Sequence, residues 1–156
     1  MHVGVPVVPI SPAYSLASKT FAKLRHMIDT VVPGLVFVAD GEAFVPALKA
    51  VAPKAEIVVG GNPGGLTSTA FAELCRTSSS AAVDEAAECV DPDTVAKILF
   101  SSGSTDPPKG IITTQRMMCS IRRRSPGYGR SWQISHRSWW IGCHGIAYSA
   151  EASVLI

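Results

Sequence analysis

Apolar and polar positions follow two different periods along the first hundred residues. Val5-Pro6-Val7-Val8 is short, apolar and β-branched, and predicts a strand. From 17 to 31, Ala17, Phe21, Leu24, Met27, Ile28 and Val31 share one helical face, with Lys19, Lys23, His26 and Thr30 opposite. Ser15 and Ser18 are available as N-caps, and Pro33-Gly34 ends the helix. Leu35–Val38 predicts a second strand, with Asp40-Gly41 turning out of it. Phe44, Ala47, Leu48 and Val51 predict a short helix with Pro46 in its first turn, where a missing N–H costs nothing. Glu56–Val59 reads as a third strand and the Gly/Asn/Pro run 60–65 as loop. A short helix over 68–76 and an exposed connection over 77–94 follow, the latter ending in the turn Asp91-Pro92-Asp93. Val95–Phe100 enters a polar loop, and Ile111–Thr114 resumes β character. Strands and helices alternating through short connections imply parallel pairing by right-handed crossovers, hence part of a doubly wound, mostly parallel α/β sheet.

Composition places this pattern in a globular protein. The 156 residues are 47% hydrophobic and 17% charged, outside the disordered range and sufficient for one core. No apolar run reaches the ~18 residues of a membrane span. The apolar opening lacks a basic flank and is broken by prolines, so it is expected to be strand and loop rather than an export signal, which makes the cytoplasm the expected compartment. The four cysteines form no C-x-x-C pair, and no metal site is expected from them. Charge is uneven: residues 1–115 hold eight Lys/Arg and eleven Asp/Glu, whereas 116–156 hold six Arg, one Glu and all three tryptophans. His26 and the Lys19/Lys23/Arg25 cluster read as a solvated helix face, since no aromatic residues interleave with them.

The loop "SSGSTDPPKG" at 101–110 carries the chemistry. Hydroxyls and closely spaced amides make a concave set of donors that suits an anion, and glycine lets backbone approach it. Pro107 and Pro108 stiffen the exit, and Lys109 adds a point charge of the kind that pairs with phosphate oxygens. A plain polar linker would explain the serines but not the Pro-Lys-Gly ending. The order of residues fits neither the Walker pattern nor G-x-G-x-x-G.

Ser101, Ser102, Gly103, Ser104, Thr105, Pro108, Lys109 and Gly110 match the signature [ST]-S-G-[ST]-T-G-x-P-K-G, so the loop resembles the phosphate loop of the AMP-forming acyl-activating enzymes. The flanks GVPVVPISPAYS, DPDTVAKILF and TTQRMMCS look like the feruloyl-CoA synthase branch, and the likeness covers residues 3 to about 120. Thr114-Gln115 stands where typical relatives have Thr-His. The resemblance implies part of the large N-terminal domain of an AMP-binding enzyme. It also implies a ligase reaction in which a carboxylic acid, here an aromatic one, reacts with Mg2+-ATP to give an acyl-adenylate, from which coenzyme A displaces AMP. ATP, Mg2+ and coenzyme A are thus the implied cofactors, and neither membrane nor nucleic acid is an expected partner. Ser101, Ser102, Gly103, Ser104, Thr105, Lys109 and Gly110 are the implied nucleotide contacts. The contribution expected of such a loop is positioning and charge stabilisation.

Three departures modify that expectation. Asp106 replaces the family's glycine; a carboxylate ~5 Å from a phosphate charge opposes it by roughly 3 kcal/mol at an effective dielectric of ~20, so weak ATP binding is expected. After Ser120 the likeness stops, and residues 121–156 read as a divergent, disordered, Arg/Trp-rich tail, consistent with a shifted reading frame near codon 120. The domain is accordingly expected over 1–120. Relatives also carry residues ahead of the first strand, and downstream motifs for adenine, ribose and magnesium. The chain is therefore expected to be a fragment, inactive alone, with no assignable catalytic residue or metal ligand, and poorly soluble because covering elements are missing. The alternative from a different class is a small non-enzymatic module that binds phosphate or nucleic acid through the loop and the basic tail.

Overall fold

The computed structural model describes residues 1–101, 106–124 and 154–155. Along the chain run β1 (Pro9–Ile10), α1 (Ala13–Leu16), α2 (Ala22–Val31), β2 (Leu35–Asp40), α3 (Gly41–Val51), β3 (Glu56–Gly61), β4 (Thr69–Ala70), α4 (Phe71–Leu74), α5 (Ala81–Glu88), β5 (Val95–Phe100), β6 (Gly110–Thr114), α6 (Gln115–Arg124) and β7 (Val154–Leu155). The main sheet has the order β1-β7-β2-β3-β4, and β5 and β6 form a second, two-stranded sheet.

The expected parallel sheet is present where apolar runs alternate with amphipathic helices. β2 and β3 pair in parallel, Leu35 opposite Glu56 and Val38 opposite Val59, and β4 joins β3 in parallel. The other pairings are antiparallel: β7 lies between β1 and β2, and β5 pairs with β6. The two sheets meet at a parallel bridge between Val7 and Lys97. There the Val7 amide donates to the Ala96 carbonyl and the Val7 carbonyl accepts from Ile98, each at 3.1 Å. Pairing at the predicted Val5–Val8 strand shrinks to this single bridge, since the flanking Pro6 and Pro9 have no N–H to extend it.

α2 and α3 pack their apolar faces on this frame. Leu24, Met27 and Ile28 from α2, and Phe44, Ala47, Leu48 and Val51 from α3, join Val36, Val38 and Val59 in the core. Both helices end in a left-handed residue ahead of a proline: Val32 (φ 45°) before Pro33 and Ala52 (φ 40°) before Pro53. Each amide closes the last turn, Val32 on Ile28 at 2.9 Å and Ala52 on Leu48 at 2.8 Å. Proline then blocks continuation, and the strained backbone costs about 1–2 kcal/mol per non-glycine residue.

Several local expectations are corrected. Pro46 lies inside α3 rather than in its first turn, because Asp40 caps the helix, accepting from the Ala43 amide at 3.4 Å, and the helix therefore starts at Gly41. The buried side chains of Phe44, Ala47, Leu48 and Val51 on one face hold α3 together across that interruption. Gly60 and Gly61 belong to β3 rather than to the following loop. That loop then folds back on α3, Asn62 accepting from the Glu42 amide at 2.7 Å. Gly64, at φ +60°, lies where a Cβ would stand 2.6 Å from the Glu42 Cα, so only glycine fits there. The supposed connection 77–94 contains α5, an alanine-rich helix with Ala82, Val83, Ala86 and Ala87 on one side and Asp84, Glu85 and Glu88 on the other, none of them buried. Ser18 accepts from the Phe21 amide at 3.0 Å ahead of α2, whereas Ser15 is buried in α1 with no hydrogen-bond partner for its hydroxyl among the described residues. The boundary expected after residue 120 falls inside α6, and Val154–Leu155 are paired in the sheet; the remaining expectation of a disordered tail concerns positions outside the described residues. Among the described residues, no helix is long and apolar enough to cross a membrane.

Candidate functional site

β5 and β6 carry the two ends of the polar loop. Their register runs from Val95 opposite Thr114 to Phe100 opposite Gly110, with an irregularity between Val95 and Lys97. Ala96 is fully buried, and the other β5 side chains are half-buried. Ile111 and Ile112 of β6, consecutive and so on opposite faces of the strand, are 55% and 57% exposed. At the mouth of the hairpin the Ser101 amide donates to the Lys109 carbonyl at 3.0 Å. The Ser101 hydroxyl lies 3.4 Å from both backbone atoms of Lys109, donating to its oxygen and accepting from its nitrogen. Ser101 is thus used in closing the loop.

Gly110 has a steric reason to be glycine. A Cβ there would stand 3.1 Å from Ile98 Cγ2 and 3.7 Å from the Phe100 ring, so the cross-strand neighbours lie over the backbone at the loop's exit. Lys109 is exposed, and no acidic partner holds its ammonium among the described residues. The structure therefore brings Ser101, Lys109 and Gly110 together; Ser102, Gly103, Ser104 and Thr105 lie outside the described residues.

The exit is anchored from a distance. Pro108 is among the most completely buried side chains, less than 2% exposed, whereas Pro107 next to it is exposed. His26 of α2 places Nε2 3.1 Å from the Pro108 carbonyl oxygen. A carbonyl can only accept, so the ring carries its proton on Nε2. Ala22, Lys23 and His26 on the helix line a shallow depression together with Asp106, Pro107 and Pro108. His26 is thus not merely a solvated residue, as the helical pattern implied. No local signal marks it, because the contact joins residues 82 positions apart.

A second fastening holds the base of the hairpin. Asp91 Oδ1 accepts from the amides of Asp93 (2.9 Å) and Thr94 (2.6 Å) and from the Thr94 hydroxyl (2.7 Å). These bonds, the Thr94 hydroxyl foremost, hold the Asp91 carboxyl below its ordinary pKa. Asp93 next to it receives Arg116 of α6 in a two-pronged pair, both contacts at 3.0 Å. That pair, and secondarily the charge of Asp93, raises the Arg116 pKa. Main-chain bonds from Gln115 to Thr94 (3.0 Å) and from Arg116 to Pro92 (2.7 Å) complete the joint. Gln115 also reaches the Met1 carbonyl at 3.0 Å. Among the described residues, no group of three or more His, Cys, Asp or Glu side chains could hold a metal ion, and no Mg2+ ligand is assigned.

Comparison with known proteins gives a consistent setting for this hairpin. Residues 1–155 match the family described as AMP-binding enzyme. The FR901469 synthetase of Dothideomycetidae sp. (strain 11243) is 27% identical over 132 residues, covering 84% of this chain and 1% of that protein. Nonribosomal peptide synthetase 8 of Aspergillus fumigatus is 42% identical over 53 residues, 33% of this chain and again 1% of that protein. Among solved structures, the luciferase-like enzyme of the nonluminescent mealworm Zophobas morio superposes with a TM-score of 0.54 at 24% identity, over 74% of this chain and 26% of that one. The latter likeness shows the fold: a mixed α/β unit corresponding to part of a larger domain. The chain spans about a hundredth of the curated relatives and about a quarter of the luciferase-like enzyme.

Proposed function

This chain belongs to the AMP-binding enzyme family, and from that premise we propose that it is the phosphate-loop segment of an adenylate-forming ligase that transfers the AMP part of ATP to a carboxylic acid and releases pyrophosphate. The observation that carries the reading is the closure of the hairpin at Ser101 and Lys109, which leaves the Lys109 ammonium exposed at the end of a hydroxyl-rich loop. The charge and donor types at 101–110 fit a polyphosphate. When bound, ATP supplies the electrophilic phosphorus and a pyrophosphate leaving group. The chain's own task is to hold the outer phosphates: Ser102, Ser104 and Thr105 donate hydroxyls, Gly103 donates its amide, and Lys109 supplies charge. Ser101 and Gly110 keep the loop ends together.

For the acid, the flanking sequences favour an aromatic carboxylate followed by transfer to coenzyme A, as in the feruloyl-CoA synthase branch. The similarity to a nonribosomal peptide synthetase makes amino acids the competing class. Because the acid pocket and the catalytic groups are not assigned to this segment, it is proposed to be inactive alone. ATP–pyrophosphate exchange tests the reading in an enzyme carrying this segment. Exchange stimulated by ferulate supports an aryl ligase, exchange stimulated only by amino acids replaces the acid class, and exchange unaffected by Lys109→Ala refutes the role of the loop.

A further inference from the structure

We propose that His26 is a positioning residue for the phosphate loop, fixing the backbone just ahead of Lys109 through the hydrogen bond from its Nε2 to the Pro108 carbonyl. The inference rests on the phosphate-binding reading of 101–110. A loop that cradles an anion must hold its donors against the entropy of a flexible chain, and any freedom left at Lys109 is lost on binding. The hairpin ladder restrains one side of Lys109, since its carbonyl accepts from Ser101 and Gly110 is paired with Phe100. On the other side the Lys109 amide keeps, among the described residues, only its 3.4 Å bond to the Ser101 hydroxyl, and the residue before it is a proline with no N–H to donate. Further restraint there comes from α2, a separate element. Pro108 is buried, and its one strong acceptor is met by His26. Because α2 is itself fastened to the core by Leu24, Met27 and Ile28, the helix acts as a fixed post for the loop exit.

The charged groups sharing this depression are Lys23, one turn earlier on α2, and Asp106 on the loop. Position 26 thus offers a directional N–H at a place where charge alone would not define the backbone. A residue with a donor at the same reach should therefore substitute for histidine, whereas an apolar residue should not.

The test titrates inorganic tripolyphosphate into the full chain by calorimetry, alongside His26→Ala, His26→Gln and Lys109→Ala. His26→Ala is expected to weaken binding by about fivefold, within the range of one hydrogen bond, and His26→Gln to restore it to within about twofold. The tautomer-sensitive nitrogen resonances of the His26 ring should report a proton on Nε2, as the carbonyl partner requires. If the parent binds tripolyphosphate and loses it in Lys109→Ala but not in His26→Ala, the positioning role is overturned while the loop reading stands. If His26→Ala lowers the thermal midpoint and leaves affinity unchanged, the residue is structural only and the proposal again fails. If the parent shows no affinity and Lys109→Ala no effect, the loop reading itself falls and the proposal falls with it.

Discussion

The Ser101 amide donates to the Lys109 carbonyl at 3.0 Å, so two residues eight positions apart are held as neighbours across the loop mouth. This bond closes the β5–β6 ladder just beyond the Phe100–Gly110 pair. A loop tethered in this way presents its cation from a fixed base rather than from a free tail.

Removing that cation is the most direct probe. Lys109→Ala should reduce tripolyphosphate affinity by about tenfold to a hundredfold, the range of a charge-assisted hydrogen bond, and flatten the dependence of binding on salt. Calorimetry at two salt concentrations measures both. The fold should survive, because the Lys109 side chain is exposed.

Asp106 should act in the opposite sense. Its carboxylate is exposed and borders a depression shared with Lys23, so solvent and the lysine charge screen the repulsion below the roughly 3 kcal/mol of an isolated pair. Asp106→Gly is therefore expected to tighten tripolyphosphate binding by about tenfold, equivalent to ~1.4 kcal/mol. Equal affinities for the two proteins would rule out the electrostatic argument.

Val32 offers a test of backbone strain. It is 78% exposed and sits at φ 45°, so replacing it sacrifices little burial while relieving a conformation that a β-branched residue disfavours. Val32→Gly should stabilise the fold by about 1 kcal/mol and raise the melting temperature by about 2–4 °C. A lower melting temperature would show that the side chain contributes more than its exposure implies.

Acid should loosen the joint between β5 and α6. The Asp91 pKa is depressed from its ordinary value of 3.8 in the folded state. The unfolded chain therefore binds that proton more readily. Its stabilising contribution is present above pH 3.8 and is lost as pH falls through the lower, folded value. Urea midpoints measured for the parent and Asp91→Asn between about pH 2 and 6 should converge toward the acid end. A constant gap across that range would mean that the shift is not felt in stability.

The sequence by itself determined the elements whose apolar spacing is strong: the helix that became α2, the buried faces of α3, and the adjacent runs that became β2 and β3. It also narrowed what 101–110 could bind, because hydroxyl, glycine and lysine types limit a loop's ligands before any coordinate is known. Local pattern was a weaker guide where competing forces met. Pro46 was tolerated within α3 because the buried face outweighed one missing hydrogen bond, and α5 formed from a short alanine-rich run whose small apolar side chains stay unburied. Only the tertiary structure decided that β5 and β6 pair antiparallel, that Pro108 is buried, and that His26 meets its carbonyl. The reason is physical: side-chain periodicity reports which face of an element avoids water, but not which distant backbone group that element will meet. Contacts such as that between His26 and Pro108 exist only once packing has brought α2 and the loop exit together.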